Sequence, residues 1–268
     1  MNCRICEAEV HSVFAATVLR KYRVSYFHCD SCGFLQTENP YWLSEAYLDP
    51  INRSDCGLLG RNIRFAHFTA PLLFVAFDRN ARFLDYAGGY GVFTRLMRDI
   101  GFDYYWHDPY VKNLFADGFE FNQHLLPVEL ITAFEVFEHL SDPRAELDRM
   151  TGISPNILFS TLLLPEPLPK PDDWWYYGTE HGQHVALYSL KTLRFLARKY
   201  RVNLLTNGVD VHLFTRKRVN PLFFRCLPLL SKYGLWQLVH RRMQSRTVQD
   251  MNAIVTELRS PAEPGPQS

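Results

Sequence analysis

Phe83-Leu84-Asp85-Tyr86-Ala87-Gly88-Gly89-Tyr90-Gly91-Val92-Phe93-Thr94 decides the reading of this 268-residue chain. Phe83 and Leu84 finish an apolar strand and Asp85 closes it. Three glycines within four residues then let the backbone turn sharply and approach a ligand with no Cβ in between. Val92, Phe93, Leu96, Met97 and Ile100 recur at helical spacing, and Gly101 stops that helix. A helix N-terminus behind a glycine loop is a cradle for a nucleotide-like ligand. Dinucleotide and nucleoside loops look alike at this level. Here the acid precedes the glycines, and the next strand, Tyr104-Tyr105-Trp106-His107-Asp108, ends in an acid placed for a ribose. Both details favour a nucleoside site.

Outward from this stretch, residues 83–219 alternate strand and helix. Glu120–Asn122 reads as a short third strand, Leu130–Val136 as a buried fourth and Asn156–Leu162 as a fifth. Asp142 and Ser189 read as helix caps, with Pro143 at a first helical position. Val202–Thr206 and Val211–Arg216, joined around Asn207-Gly208, read as an antiparallel hairpin. Asn62–Phe77 has helical periodicity, and residues 37–82 read as a helical leader whose Tyr41, Trp42 and Tyr47 pack between domains or cover a ligand.

The N-terminus carries a second signal. Cys3-Arg4-Ile5-Cys6 and Cys29-Asp30-Ser31-Cys32 are two Cys-x-x-Cys pairs separated by 22 residues, flanking a hairpin pattern. Zinc takes four soft ligands in a tetrahedron, so Cys3, Cys6, Cys29 and Cys32 are expected to hold a structural Zn2+ in a module spanning 1–36. A module this small gains its folding energy from the metal. Cys56 and Cys226 fall outside this pattern and read as packed thiols.

Composition sets bounds. With 47% hydrophobic and 21% charged residues the chain is ordinary and globular, and a net charge of +1 gives no global field for nucleic acid. An N-terminal signal and an apolar run of membrane-spanning length are both missing from the pattern, so a cytoplasmic location is expected. From Val211 to Gln249 there is no acid, while eight basic residues are interleaved with leucines and aromatics. Residues 220–259 therefore read as a basic amphipathic helical extension that packs on the domain, mediates a dimer or lies on an anionic membrane face. Residues 260–268 read as a disordered tail.

Asp85-x-Ala87-x-Gly89-x-Gly91 resembles motif I of class I S-adenosylmethionine (SAM) methyltransferases, with Ala87 where the first glycine usually stands. The strand order fits the same family, over residues 83–216. The resemblance implies an α/β Rossmann-like fold with a seven-stranded sheet and SAM as cofactor. It places Asp85, Ala87, Gly88, Gly89 and Gly91 in the cofactor loop, Asp108 on the ribose and Glu135 near the methionine part. The four-cysteine start is similar to the bacterial sugar C-methyltransferases, whose large C-terminal domain this chain lacks.

The loop Asp172–His184 follows the carboxyl end of the fifth strand, where ligands bind in open α/β sheets. It holds four consecutive aromatics, then Glu180, His181 and His184. Aromatic faces pack on sugar rings, so Trp175, Tyr176 and Tyr177, with His139, are expected to bind substrate. A poor nucleophile needs a base, for which histidine suits neutral pH. His184 is expected to be that base, with His181 and Glu180 orienting the substrate. In the sugar C-methyltransferases this loop carries Tyr-x-Glu-His before a Tyr/Phe-Ser helix start. Here His181-Gly182-Gln183-His184 precedes Tyr188-Ser189, so only the last histidine matches. The expectation is a methyltransferase acting on a small-molecule sugar. The competing readings are a lipid-linked or other small acceptor at a membrane, and a non-catalytic zinc module that binds a macromolecule. The sequence leaves the oligomeric state open.

Overall fold

The computed structural model describes residues 1–48 and 55–259. The tail expected at 260–268 lies outside the described residues. β1 (His11–Val18) and β2 (Tyr22–His28) form the hairpin between the cysteine pairs, and β3 (Leu35–Thr37) lies antiparallel to β2. α1 (Leu43–Ala46) and α2 (Leu58–Ala76) form the leader. Then come β4 (Arg82–Tyr86), α3 (Val92–Ile100), β5 (Asp103–His107), β6 (Leu130–Ala133), α4 (Pro143–Ile153) and β7 (Ile157–Ser160). β8 (Ala186–Leu187), α5 (Leu190–Tyr200), β9 (Asn203–Thr206) and β10 (Val211–Thr215) complete the sheets. α6 (Pro221–Lys232), α7 (Leu235–Arg242) and α8 (Thr247–Arg259) end the described chain.

The main sheet runs β5-β4-β6-β7-β10-β9. β5, β4, β6 and β7 are parallel, while β10 is antiparallel to both β7 and β9. The expected third strand at Glu120–Asn122 shrinks to one parallel bridge between Trp106 and Glu120. Its polar composition explains this: Glu120 accepts from the Asn113 side chain, and Asn122 caps a 3-10 turn at Gln123–Leu125. The sheet therefore has six full strands and a vestigial seventh.

Alternation on each strand fills two cores. Leu84, Ile131, Ile157 and Phe159 face Leu147 and Met150 of α4 and Leu193 and Leu196 of α5. Phe83, Leu130, Leu158 and Leu213 face Leu72 and Leu73 of α2, Phe93 and Met97 of α3 and Phe224 of α6. Asp142 caps α4, and Ser189 caps α5 through a capping box with Thr192.

The cysteine module is not an appendage. Its sheet runs β1-β2-β3-β8, with Leu35 opposite Leu187 and Gln36 opposite Ala186. A boundary at residue 36 thus falls inside β3. The Arg4 guanidinium donates to the Thr37 and Glu38 carbonyls, and the Thr192 hydroxyl donates to the Cys32 carbonyl. Phe34 packs on Tyr188.

Of the basic extension, α6 and α7 bury Phe224, Leu227 and Val239 in the α2 face of the core. Leu222, Leu229, Leu230 and Leu238 stay exposed beside Arg225, Lys232, Arg241 and Arg242. Asp250 of α8 is buried against Arg95 and Arg98 of α3. Among the described residues no helix is long and apolar enough to cross a membrane. Cys226 is half-buried, whereas Cys56 is exposed and is not a packed thiol, because it sits in the turn that starts α2.

Candidate active site

The carboxyl ends of β4, β5 and β6 open into one cavity of about 1460 Å³. Single small-ligand sites are usually about 300–1,000 Å³, so there is room for a cofactor and an acceptor together.

One end is the glycine loop. Ala87, Gly89 and Gly91 have φ of 53°, 54° and 83°, and Gly91 is the N-cap of α3. Ala87 thus accepts a left-handed backbone where glycine would be unstrained. A Cβ on Gly88 would lie 2.6 Å from Asp85 Oδ2 and 2.8 Å from Trp106 Cδ1. Ala87, Gly88 and Gly89 line the cavity, while Gly91 is turned from it toward Asn113 and Ala116. Asp85 is buried beneath the loop and accepts from the Thr94 and Thr132 hydroxyls, each at 3.0 Å. Burial raises its pKa to about 7 despite those bonds. Asp108 accepts from the Gly89 N–H at 3.0 Å and from the Tyr110 and Val111 N–H groups. It thereby joins the tip of β5 to the glycine loop, with its carboxylate on the cavity wall. Glu135 adopts φ 56° just past β6, accepts from the Ser160 hydroxyl at 2.6 Å and faces Arg61 at 3.5 Å.

The other end is built from the turn Phe137–His139 and the loop 175–184. Glu138, His139, Tyr176, Glu180, His181 and His184 all line the cavity, as does Trp175 at its rim, 77% exposed. His184 Nδ1 lies 2.6 Å from the Tyr176 carbonyl, so it carries the proton and donates, leaving the Nε2 lone pair free. Burial, then the neighbouring histidines, hold its pKa well below the usual value, so His184 is neutral. His181 Nδ1 accepts from the Gln183 N–H, so in the neutral ring Nε2 carries the hydrogen and presents a donor rather than a base. Gly178, at φ 61°, makes room for that ring: a Cβ there would lie 2.5 Å from His181 Nε2.

Two placements differ from expectation. Tyr177 does not line the cavity; it packs among Phe14, Tyr26 and Trp174, and its hydroxyl donates to the Pro169 carbonyl. Tyr176 shows the cavity its ring, because its hydroxyl is committed to Thr161 and to the Leu162 N–H. The aromatic loop therefore divides, with the outer pair Trp174 and Tyr177 serving the module's core and the inner pair Trp175 and Tyr176 lining the site. Trp42 is likewise interior, donating to the Gly182 carbonyl, while Tyr47 reaches the cavity and stacks on Tyr110.

Glu138 sits beside His139 in the turn after β6, where an acid ordinarily faces solvent. It is completely buried, and neither carboxylate oxygen has a hydrogen-bond partner of normal geometry. Burial first, then the charge of Glu135, raise its pKa to about 8, although the Tyr176 and Thr161 hydroxyls act the other way. The spacing Glu135-x-x-Glu138-His139 was its only trace in the sequence. His139 is held down to about 4, by burial first and by His181 second.

In the cysteine module the four Sγ atoms lie within 4.8 Å of one another. Cys3 and Cys32 Sγ are 3.5 Å apart, and Cys6 and Cys29 Sγ 3.4 Å. Gly33, at φ 73°, turns the second knuckle against Ser189. Four thiols converging in this way could hold one tetrahedral metal ion.

The fold is that of a class I methyltransferase domain. A family model described as "Methyltransferase domain" matches residues 60–206. The chain belongs to that family, and the matched region is a SAM-dependent methyltransferase domain. No curated protein sequence matches the chain. Among solved structures, it is similar to the Burkholderia thailandensis 1,6-didemethyltoxoflavin-N1-methyltransferase, at 14% identity and TM-score 0.47, over 80% of this chain and 100% of that one. It is also similar to TnmH, at 14% identity and TM-score 0.45 over 65% of this chain. A third is CalO1, a methyltransferase in calicheamicin biosynthesis in its SAH-bound form, at 12% identity and TM-score 0.41 over 64% of this chain. The chain spans 60% of the length of TnmH and of CalO1.

Proposed function

We propose that the protein transfers a methyl group from SAM to a hydroxyl oxygen of a sugar-bearing small molecule. The observation that carries this is the His184 Nε2 lone pair. It is left free by the Nδ1–Tyr176 bond, on a side chain lining the cavity that the glycine loop also lines. Bound SAM supplies an electrophilic methyl on sulfur. Asp108 and the Gly88–Gly89 backbone would hold the nucleoside, and Glu135 the amino-acid end. His184 takes the hydroxyl proton as the oxygen attacks, and His181 donates to the acceptor through Nε2–H. Trp175 at the rim and the Tyr47–Tyr110 stack offer flat apolar faces for a sugar ring. The Tyr and Glu of the C-methylation element are replaced in this loop, which favours oxygen over carbon. Cys3, Cys6, Cys29 and Cys32 would hold a structural zinc.

Two measurements test the reading. Isothermal titration should show SAM binding that Gly89→Arg removes; absence of heat with the wild-type chain would reject it. A screen of sugar nucleotides with SAM, read by mass, should find one that gains a single methyl.

A second acceptor class has its own support. Leu222, Leu229, Leu230 and Leu238 are exposed among the basic side chains of α6 and α7. That surface suits an anionic membrane and a lipid-linked acceptor. Failure to sediment with anionic vesicles counts against it.

A further inference from the structure

Glu138 lines the cavity as a fully buried side chain, and neither oxygen of its carboxyl group has a hydrogen-bond partner of normal geometry. Burying such a group costs several kcal/mol unless a partner compensates. Around it stand two imidazoles. One ligand atom from each of Glu138, His139 and His184 can be chosen so that all three lie within 4.8 Å of one another. His184 commits Nδ1–H to the Tyr176 carbonyl, which leaves Nε2 for a ligand. His139 is partly buried, and its Nδ1 is buried with no hydrogen-bond partner. A ring nitrogen anchored on a main-chain carbonyl with its opposite nitrogen free is the usual support of a metal-bound histidine.

We propose that Glu138, His139 and His184 form a binding site for one divalent cation at the acceptor end of the cavity. Two imidazoles and one carboxylate suit manganese, iron or zinc, and three protein ligands leave coordination positions for an acceptor oxygen. This deepens the acceptor reading above, and changes how His184 serves it. With the ion bound, Nε2 is a ligand rather than a base. The ion held by these three side chains would supply Lewis acidity, lowering the pKa of an acceptor hydroxyl so that its proton could pass to bulk water. The acceptor oxygen would then form its bond to the methyl carbon as the carbon–sulfur bond breaks, with that electron pair staying on sulfur.

The other histidine–carboxylate cluster, His11, His28 and Asp30, is largely exposed, and its members already pair with one another. It serves as the control.

The experiment is a Mn2+ titration of the zinc-loaded full chain, followed by electron paramagnetic resonance. Mn2+ prefers oxygen and nitrogen ligands and does not compete for the four thiols. One Mn2+ should bind per chain. Glu138→Gln and His184→Asn should each weaken it at least ~10-fold, the lower end of what even supporting residues of metal sites contribute. His11→Asn should leave it unchanged. SAM binding by the Glu138→Gln chain shows that its pocket is folded. Absence of bound Mn2+, binding that survives Glu138→Gln, or binding lost in His11→Asn overturns the proposal. If wild-type chain binds Mn2+ as described but never SAM, the methyl-transfer reading falls and the ion site stands.

Discussion

The His184 imidazole and the Tyr176 carbonyl are 2.6 Å apart, a contact that spans eight residues of one loop and fixes which ring nitrogen faces the cavity. Tyr176 is itself immobilised by Thr161 at the end of β7. The orientation of His184 is therefore inherited from the sheet.

Replacing His184 by alanine should lower the methyl-transfer rate by about 10²–10⁴-fold, the range for losing the group that draws off the acceptor proton, whether Nε2 takes that proton or holds an ion that acidifies it. SAM affinity should stay within a few fold. Rate and calorimetry together check this; equal losses in both would mean that the loop, not the chemistry, had been damaged.

Gly88→Ala tests the cradle. The added Cβ would meet Asp85 and Trp106 well inside contact distance. Overpacking of this kind costs about 1–3 kcal/mol. Thermal melting should fall and SAM binding weaken, whereas Gly152→Ala, with nothing near its added Cβ, should spare both.

Asp85 predicts a pH signature for the cofactor-free protein. Its folded pKa, about 7, lies above the ordinary 3.8, so between those values the folded chain binds more protons than the unfolded one. Its contribution is full below pH 4 and is lost as pH rises through 7. Asp85→Asn should therefore gain stability relative to wild type between pH 4 and 7, by at most about 4 kcal/mol at 1.36 kcal/mol per unit. Urea unfolding at both ends of that window reads the difference; parallel curves for the two chains would refute it.

Asp250 ties α8 to α3. It accepts from Arg98 through both carboxylate oxygens and from Arg95 through one. Asp250→Asn strands a guanidinium that is only 2% exposed, with Asp103 as remaining partner. Breaking a buried pair typically costs about 3–5 kcal/mol, and Asp103 should hold the loss near the lower figure. Chemical denaturation would show it, and a change under 1 kcal/mol would rule it out.

Stripping metal from the four cysteines, or changing Cys29 to Ser, should reduce thermal stability and methyl transfer together. The module's β3 pairs with β8, two residues beyond His184. Elemental analysis should find one zinc per active chain; full activity in a metal-free module would falsify the coupling.

Much of this was legible in the chain. The glycine loop, the caps at Asp142 and Ser189 and the terminal hairpin follow from local rules, and each stands where those rules put it. The four cysteines were readable from spacing alone. Less visible were contacts made by distance in sequence. Tyr177 carries the same local signature as Trp175, yet it is core because Phe14 and Tyr26 come from the other end of the chain. Glu138 reads as a surface loop acid until β7 and the 175–184 loop close over it. The third strand failed because Asn122 prefers to cap a turn, a choice that pairing propensity does not register.

The pairing of Leu35 with Leu187 also sets when the module's sheet can be completed during synthesis. The N-terminal hairpin leaves the ribosome early, but the neighbour that completes its sheet is translated only after most of the catalytic domain. Until then an open edge is exposed to other nascent chains, and early capture of an ion by the thiols would be the main means of keeping that edge from aggregating.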